Sequence, residues 1–145
     1  MACDHAGMSE PDPELVAAAT EAHLQAYCPY SRYRVGAAIR TGSGAIVSGC
    51  NVENAAYPLG SCAEAGAIAA MVAAGDRSIG EIVVVTDGDE PGTPCGGCRQ
   101  RIREFAGPSV TVHAVSAASG VVRSTTVAAL LPHSFGPEFL EAPDA

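Results

Sequence analysis

Cys62-Ala63-Glu64 and Pro94-Cys95-Gly96-Gly97-Cys98 stand far apart in the chain, with thirty-two residues between Cys62 and Cys95. If the three thiols share one metal ion, the fold must close that gap. Three protein thiolates leave the fourth tetrahedral position of a zinc ion open, and an open position separates catalytic from structural zinc. Glu64 is not needed as a ligand. A carboxylate placed there can take a proton from water and deliver it to a substrate nitrogen, which is general acid-base work beside a Lewis acid. Ser61 and Pro94 each precede a segment with helical character, so the ligands are expected at two helix N-termini. Backbone amides and the positive dipole end favour thiolate there.

Two blander readings compete. Cys95-x-x-Cys98 alone also describes thioredoxin-like redox pairs, and the distant Cys62-Ala63-Glu64 weighs against that. A structural four-cysteine clamp completed by Cys28 or Cys50 leaves Glu64 without a purpose. Otherwise Cys3, Cys28 and Cys50 read as small packing thiols, Cys50 best of all at the end of an apolar strand.

The 145 residues suffice for one domain with a real core, and 48% hydrophobic against 17% charged residues excludes a disordered chain. No apolar run nears the roughly 20 residues that span a bilayer. Asp4, Glu10 and Asp12 at the amino end do not suit a signal peptide, so a cytoplasmic protein without membrane attachment is expected. Net charge is -8 and all eight basic residues are arginines scattered among carboxylates. Nucleic acid is therefore not the expected partner, since gripping phosphates needs clustered positive charge.

Residues 1–11 read as a flexible tail and 12–145 as a single catalytic domain. Asp12 as cap, Pro13 in the first turn and Leu15, Ala19, Ala22 and Tyr27 at helical spacing predict a helix over 13–27, stopped by Pro29. Val35–Ile39 and Ile46–Val52 flank a glycine-containing turn and predict a hairpin. The continuous β-branched run Ile82–Val85 predicts a strand buried on both faces. Val110–Val115 predicts a fourth strand and Val121–Thr125 a fifth. Helices are expected over Cys62–Ala74 and Cys95–Phe105. This order implies a three-layer α/β/α sandwich with a mixed five-stranded sheet, partly parallel because crossovers contain helices. His5, His23, His113 and His133 lack ligand spacing to the cysteines and read as surface or packing residues.

Five segments together resemble the homotetrameric, zinc-dependent cytidine deaminases: Pro29 to Ala38, Gly49 to Tyr57, Cys62-Ala63-Glu64, Pro94 to Gln100, and Leu130-Leu131-Pro132 with Phe135-Gly136-Pro137. The resemblance implies hydrolytic deamination of cytidine and 2'-deoxycytidine, in pyrimidine salvage, with one Zn²⁺ per chain held by Cys62, Cys95 and Cys98. It implies that Glu64 moves the proton, that Asn51 and Glu53 hold the ribose, that the backbone near Ala63 meets the base and that Tyr33 packs on the ring. It further implies that Tyr57 and Phe135 are lent between subunits of a homotetramer. Gly49 to Asn54, without the metal motif, reads more readily as a solvated turn. The small residues between Ala65 and Ala74 suit either a neighbouring subunit or the chain's own sheet. Many relatives carry arginine directly after the glutamate, where this chain has Ala65. Arg99 is the nearest candidate to supply that charge, against the commoner reading of an exposed helix arginine, and Ala65 keeps a related aminopyrimidine such as blasticidin S or a modified cytidine in view as substrate. A zinc-stabilised module without catalysis is a third reading, in which Glu64 is dispensable.

Overall fold

The computed structural model describes residues 8–140. The first seven residues of the expected tail, with Cys3 and His5, lie outside the described residues. Helix α1 (Pro13–Leu24) starts where its signals placed it: Asp12 caps by accepting from the Glu14 amide at 2.9 Å, and Pro13 occupies the first turn. It stops earlier than residue 27. The Tyr27 amide instead donates to the Asn51 carbonyl at 3.0 Å, and the Glu53 amide donates back to the Tyr27 carbonyl at 2.8 Å. This tertiary pairing outcompetes the last helical turn.

Five strands follow the expected order: β1 (Val35–Thr41), β2 (Ile46–Cys50), β3 (Ile79–Thr86), β4 (Thr111–Ser116) and β5 (Val122–Thr126). They form one sheet in the order β2-β1-β3-β4-β5. Only β3 and β4 run parallel, and the crossover between them contains helix α3 (Gly96–Phe105). The other neighbours are antiparallel. Helix α2 (Ala63–Ala73) lies between β2 and β3 in sequence, and a four-residue helix α4 (Val127–Leu130), too short for a periodicity signal, follows β5.

Alternation along the strands builds two cores. Ala37, Ile39, Ile82 and Val84 face α2 and α3, meeting Ala67, Ile68, Met71 and Ile102. Ala38, Val83 and Val85 face the other way, onto Leu15 and Ala19 of α1. The sheet is thus sandwiched between helical layers, as the doubly buried β3 run requires. Burial of each such Ile or Val contributes about 1.5–3 kcal/mol.

Two glycines set how closely the helices approach. A Cβ at Gly36 would lie 2.1 Å from the Ala19 carbonyl oxygen, and one at Gly49 would lie 2.4 Å from the Ala67 amide nitrogen and 2.7 Å from the Ala63 carbonyl oxygen. Helix α2 therefore packs Ala63, Gly66 and Ala67 on its own sheet while Ala69, Ala73 and Ala74 stay exposed, and Gly49 sets the height of its first turn, where Cys62 and Glu64 sit. Because backbone rather than a flexible side chain blocks a Cβ there, Gly49→Ala is expected to cost about 1–3 kcal/mol in urea denaturation. An unchanged midpoint would show that the helix yields without penalty.

Candidate active site

Two helix starts converge on one face of the sheet. Cys62 is the N-cap residue of α2 and Cys95 that of α3, and neither cap makes a side-chain bond to its helix, so both sulfurs are free to point outward. Cys98 follows in the first turn of α3 and is fully buried. The Cys62 and Cys95 sulfurs are 3.9 Å apart, and all three sulfurs lie within 4.8 Å of one another. Tetrahedral zinc with bonds of about 2.3 Å sets its sulfurs about 3.8 Å apart, so the cluster has the size of a zinc site.

Local bonds hold these starts in place. The Val52 and Ser61 amides and carbonyls exchange two bonds of 2.9 Å, which ties the entry to α2 to the end of β2. Before α3, the Gly92 amide donates to Thr86 Oγ1 at 2.8 Å. Arg99 then locks the ligand loop, donating to the Pro94 carbonyl at 2.7 Å, the Leu130 carbonyl at 2.9 Å and Thr93 Oγ1 at 3.1 Å. Arg99 is therefore not the cation on the thiols. The residue that reaches sulfur is Arg101, whose Nη1 is 3.9 Å from Cys98 Sγ. Helical geometry explains the difference, since position i+1 turns away from Cys98 whereas i+3 shares its face. The spacing of Arg101 from Cys98 was the available signal.

The electrostatics call for a cation. The backbone amide of Cys98 beside it holds the Cys95 thiol below its ordinary range. Burial pushes the Cys62 thiol up, and burial with the neighbouring charges of Glu64 and Cys62 pushes Cys98 up further. Three sulfurs and a carboxylate cannot all ionise this close together without a positive ion among them. Glu64 is itself only 4% exposed. Burial raises it above the ordinary carboxylate range, against its own backbone amide, Cys98 and Arg101, which pull it down.

A cavity of about 380 Å³ opens onto this cluster. Cys62, Ala63, Glu64 and Cys95 line its inner end, and Tyr33, Asn51, Glu53 and Tyr57 its outer part. Val35, Val84 and Thr86 also line the wall, and sequence reasoning missed them because strand residues facing a pocket look like core. Its size lies in the range of small-molecule sites. Tyr33 extends its hydroxyl over Gly92, where a Cβ would stand 2.8 Å from it, so the missing side chain makes room for tyrosine.

Asn51 and Glu53 also organise their own surroundings. Asn51 Oδ1 accepts from the Val35 amide and its Nδ2 donates to the Tyr33 carbonyl, both at 2.8 Å. One acceptor lone pair and one N–H remain for a molecule in the cavity. Glu53 Oε1 accepts from the Tyr30 and Ser31 amides at 3.0 and 3.1 Å. The Ser31 hydroxyl and these amides hold its carboxyl below the usual range.

Phe135 stands apart from the cavity. It stacks on Phe139 with ring centroids 5.4 Å apart, and its carbonyl accepts from Gln100 Nε2 at 2.9 Å. Tyr57 is 75% exposed at the rim and meets Tyr30 edge to face. Cys28 and Cys50 remain free and half-buried, away from the cluster, which excludes the four-cysteine clamp. His23 is buried and bonded to Asp87 at 2.9 Å, His113 is buried against Ser124 at 2.7 Å, and His133 is exposed, so all three are the packing or surface residues expected.

A family model described as the cytidine and deoxycytidylate deaminase zinc-binding region matches residues 9–114. The chain belongs to this family. The cytidine deaminase of Sporosarcina psychrophila is 44% identical over 88% of this chain and 93% of its own length. A blasticidin-S deaminase of Bacillus cereus is 35% identical over 86% of this chain and 92% of that protein. The crystal structure of cytidine deaminase from Burkholderia pseudomallei superposes with a TM-score of 0.80 at 43% identity, covering 84% of this chain and 97% of that one. For a deaminase of this family the converging thiols are the zinc site, with one zinc per chain at Cys62, Cys95 and Cys98. Phe135 lies beyond the matched region.

The bonds made by Asn51 predict that Asn51→Ala acts twice in this deaminase. It strips a partner from the part-buried Val35 amide and is expected to lower stability by about 1–3 kcal/mol. It also frees the Tyr33–Val35 stretch, so KM should rise with it. A variant that loses neither stability nor affinity would show that the amide is decorative.

Proposed function

We propose that this chain hydrolyses cytidine and 2'-deoxycytidine to uridine and 2'-deoxyuridine with release of ammonia, in pyrimidine salvage. The observation that carries this reading is a single one: a buried carboxylate, Glu64, set beside three converging thiols at the inner end of a nucleoside-sized cavity. Zinc bound by Cys62, Cys95 and Cys98 supplies the Lewis acidity that makes water a competent nucleophile near neutral pH. Glu64 takes one proton from the attacking water and passes it to ring N3 as C4 becomes tetrahedral; it then takes the second proton from the new C4 hydroxyl and hands it to the amine, which leaves as ammonia while the C4 carbonyl forms. Its burial suits this task, because a carboxyl held above its ordinary range both accepts and returns a proton.

The outer cavity binds the sugar and the ring face. Asn51 and Glu53 present acceptor and donor groups to the ribose hydroxyl, the Ala63 backbone meets the base and the Tyr33 ring packs against it. We read 12–145 as the catalytic unit and the cytoplasm as its location. Its thiols must stay reduced to hold metal, and no helix among the described residues is long and apolar enough to cross a membrane. The acidic surface favours a small-molecule substrate over nucleic acid or a membrane. A homotetramer is the proposed assembly, with Tyr57 and Phe135 working across subunit contacts. Exposed Tyr27, Tyr30, Tyr57, Leu59, Phe135 and Phe139 support it, since large apolar side chains in water are suited to a subunit contact. Sedimentation as a single chain would overturn the assembly.

Conversion of cytidine to the uracil chromophore, followed by absorbance with purified zinc-loaded protein, tests the reaction. Glu64→Gln is expected to retain zinc and lose at least about 10²-fold in kcat. Turnover retained by that variant would remove Glu64 from the proton path. With Ala65 after the glutamate, blasticidin S belongs in the same assay, and its turnover without that of cytidine would reassign the substrate.

A further inference from the structure

Three thiolates around a divalent ion carry a net charge of -1, and Glu64 adds a further negative group at the same place. The chain has no lysine to balance this, and the residue that follows Glu64 on α2 is Ala65, which carries no charge. The buried corner of the cluster is Cys98, whose side chain is fully shielded from water. A negative sulfur there needs a partner within the protein.

Arg101 is placed to be that partner. Its Nη1 lies 3.9 Å from Cys98 Sγ, and the guanidinium folds back over Gly97, where a Cβ would stand 3.2 Å from Nη1. A side chain at Gly97 would crowd this path. Six of the other seven arginines are committed elsewhere: Arg34, Arg40, Arg103 and Arg123 pair with carboxylates, and Arg77 and Arg99 donate to backbone carbonyls, while Arg32 is exposed in the turn before β1. Arg101 forms no carboxylate pair among the described residues, although carboxylates outnumber cations two to one. Its one polar contact there is the sulfur.

We infer that Arg101 is a positioning residue for the metal centre: from the same helix that carries Cys98, it holds that sulfur in its ligating rotamer and offsets the negative charge of the zinc–thiolate cluster. Because it acts on sulfur and charge, it governs how tightly zinc is held rather than which nucleoside is bound. The inference rests on the zinc site alone, so the identity of the substrate does not affect its test.

That test is zinc affinity, measured by competition with a chromophoric chelator for the purified protein and for Arg101→Met, Arg101→Lys and Arg123→Met. Loss of a residue that supports a metal ligand weakens binding by about 10- to 100-fold, and Arg101→Met is expected in that range. Arg101→Lys should recover most of the loss through its charge, and Arg123→Met, far from the cluster, should bind as the parent does. Cobalt substitution gives an independent readout. The sulfur-to-cobalt charge-transfer band should shift in Arg101→Met and return toward the parent position in Arg101→Lys. Zinc affinity within twofold of the parent in Arg101→Met would overturn the inference. So would an Arg101→Lys variant no better than Arg101→Met, because packing of the stem would then explain the effect.

Discussion

Everything at the active end of this protein depends on the meeting of two helix N-termini over one face of the sheet. Neither start is built to satisfy itself: Cys62 and Cys95 occupy cap positions without capping, and their sulfurs face each other at 3.9 Å. In most helices the residue at that position is chosen to satisfy the free amides of the first turn. Here it is chosen for a metal, and the stability forgone at two caps is made up by the doubly packed sheet beneath them.

The sheet explains why two short segments so distant in sequence can meet to within a few ångströms. The antiparallel pairing of β1 with β2 and β3 brings the end of β2 and the end of β3 to the same edge of the cavity. Gly49 then lets α2 down onto β2 until backbone touches backbone. The right angle of approach for Glu64 is thus a packing result, obtained from an absent side chain two elements away.

Much of this was legible in the chain. The run Ile82–Val85 announced a strand covered on both sides, and the spacing of Cys62, Cys95 and Cys98 announced a metal site, with Glu64 buried beside it. What escaped were the partners of individual side chains and backbone groups. Tyr27 had helical spacing yet pairs with the strand end near Asn51. Arg99 was adjacent to a ligand yet turns to carbonyls, whereas Arg101, one helical face away, reaches the sulfur. The backbone bonds of Asn51 could not be read at all, because a side chain's partners are set by tertiary position, not by its neighbours in sequence.

Helix α3 has a second task at its other residues. While Cys95 and Cys98 mark its beginning, Gln100 donates to the Phe135 carbonyl and Arg103 bonds Ser134 and pairs with Glu138, so the carboxyl-terminal stretch is strapped to the same ten residues. Force or bulk applied at that end is transmitted along one rigid rod to two of the three sulfurs. Helix α1, by contrast, lies across the sheet from them. For anyone attaching a fusion partner, a surface linker or a purification handle, the amino end is the side on which the molecule can be held without disturbing its metal.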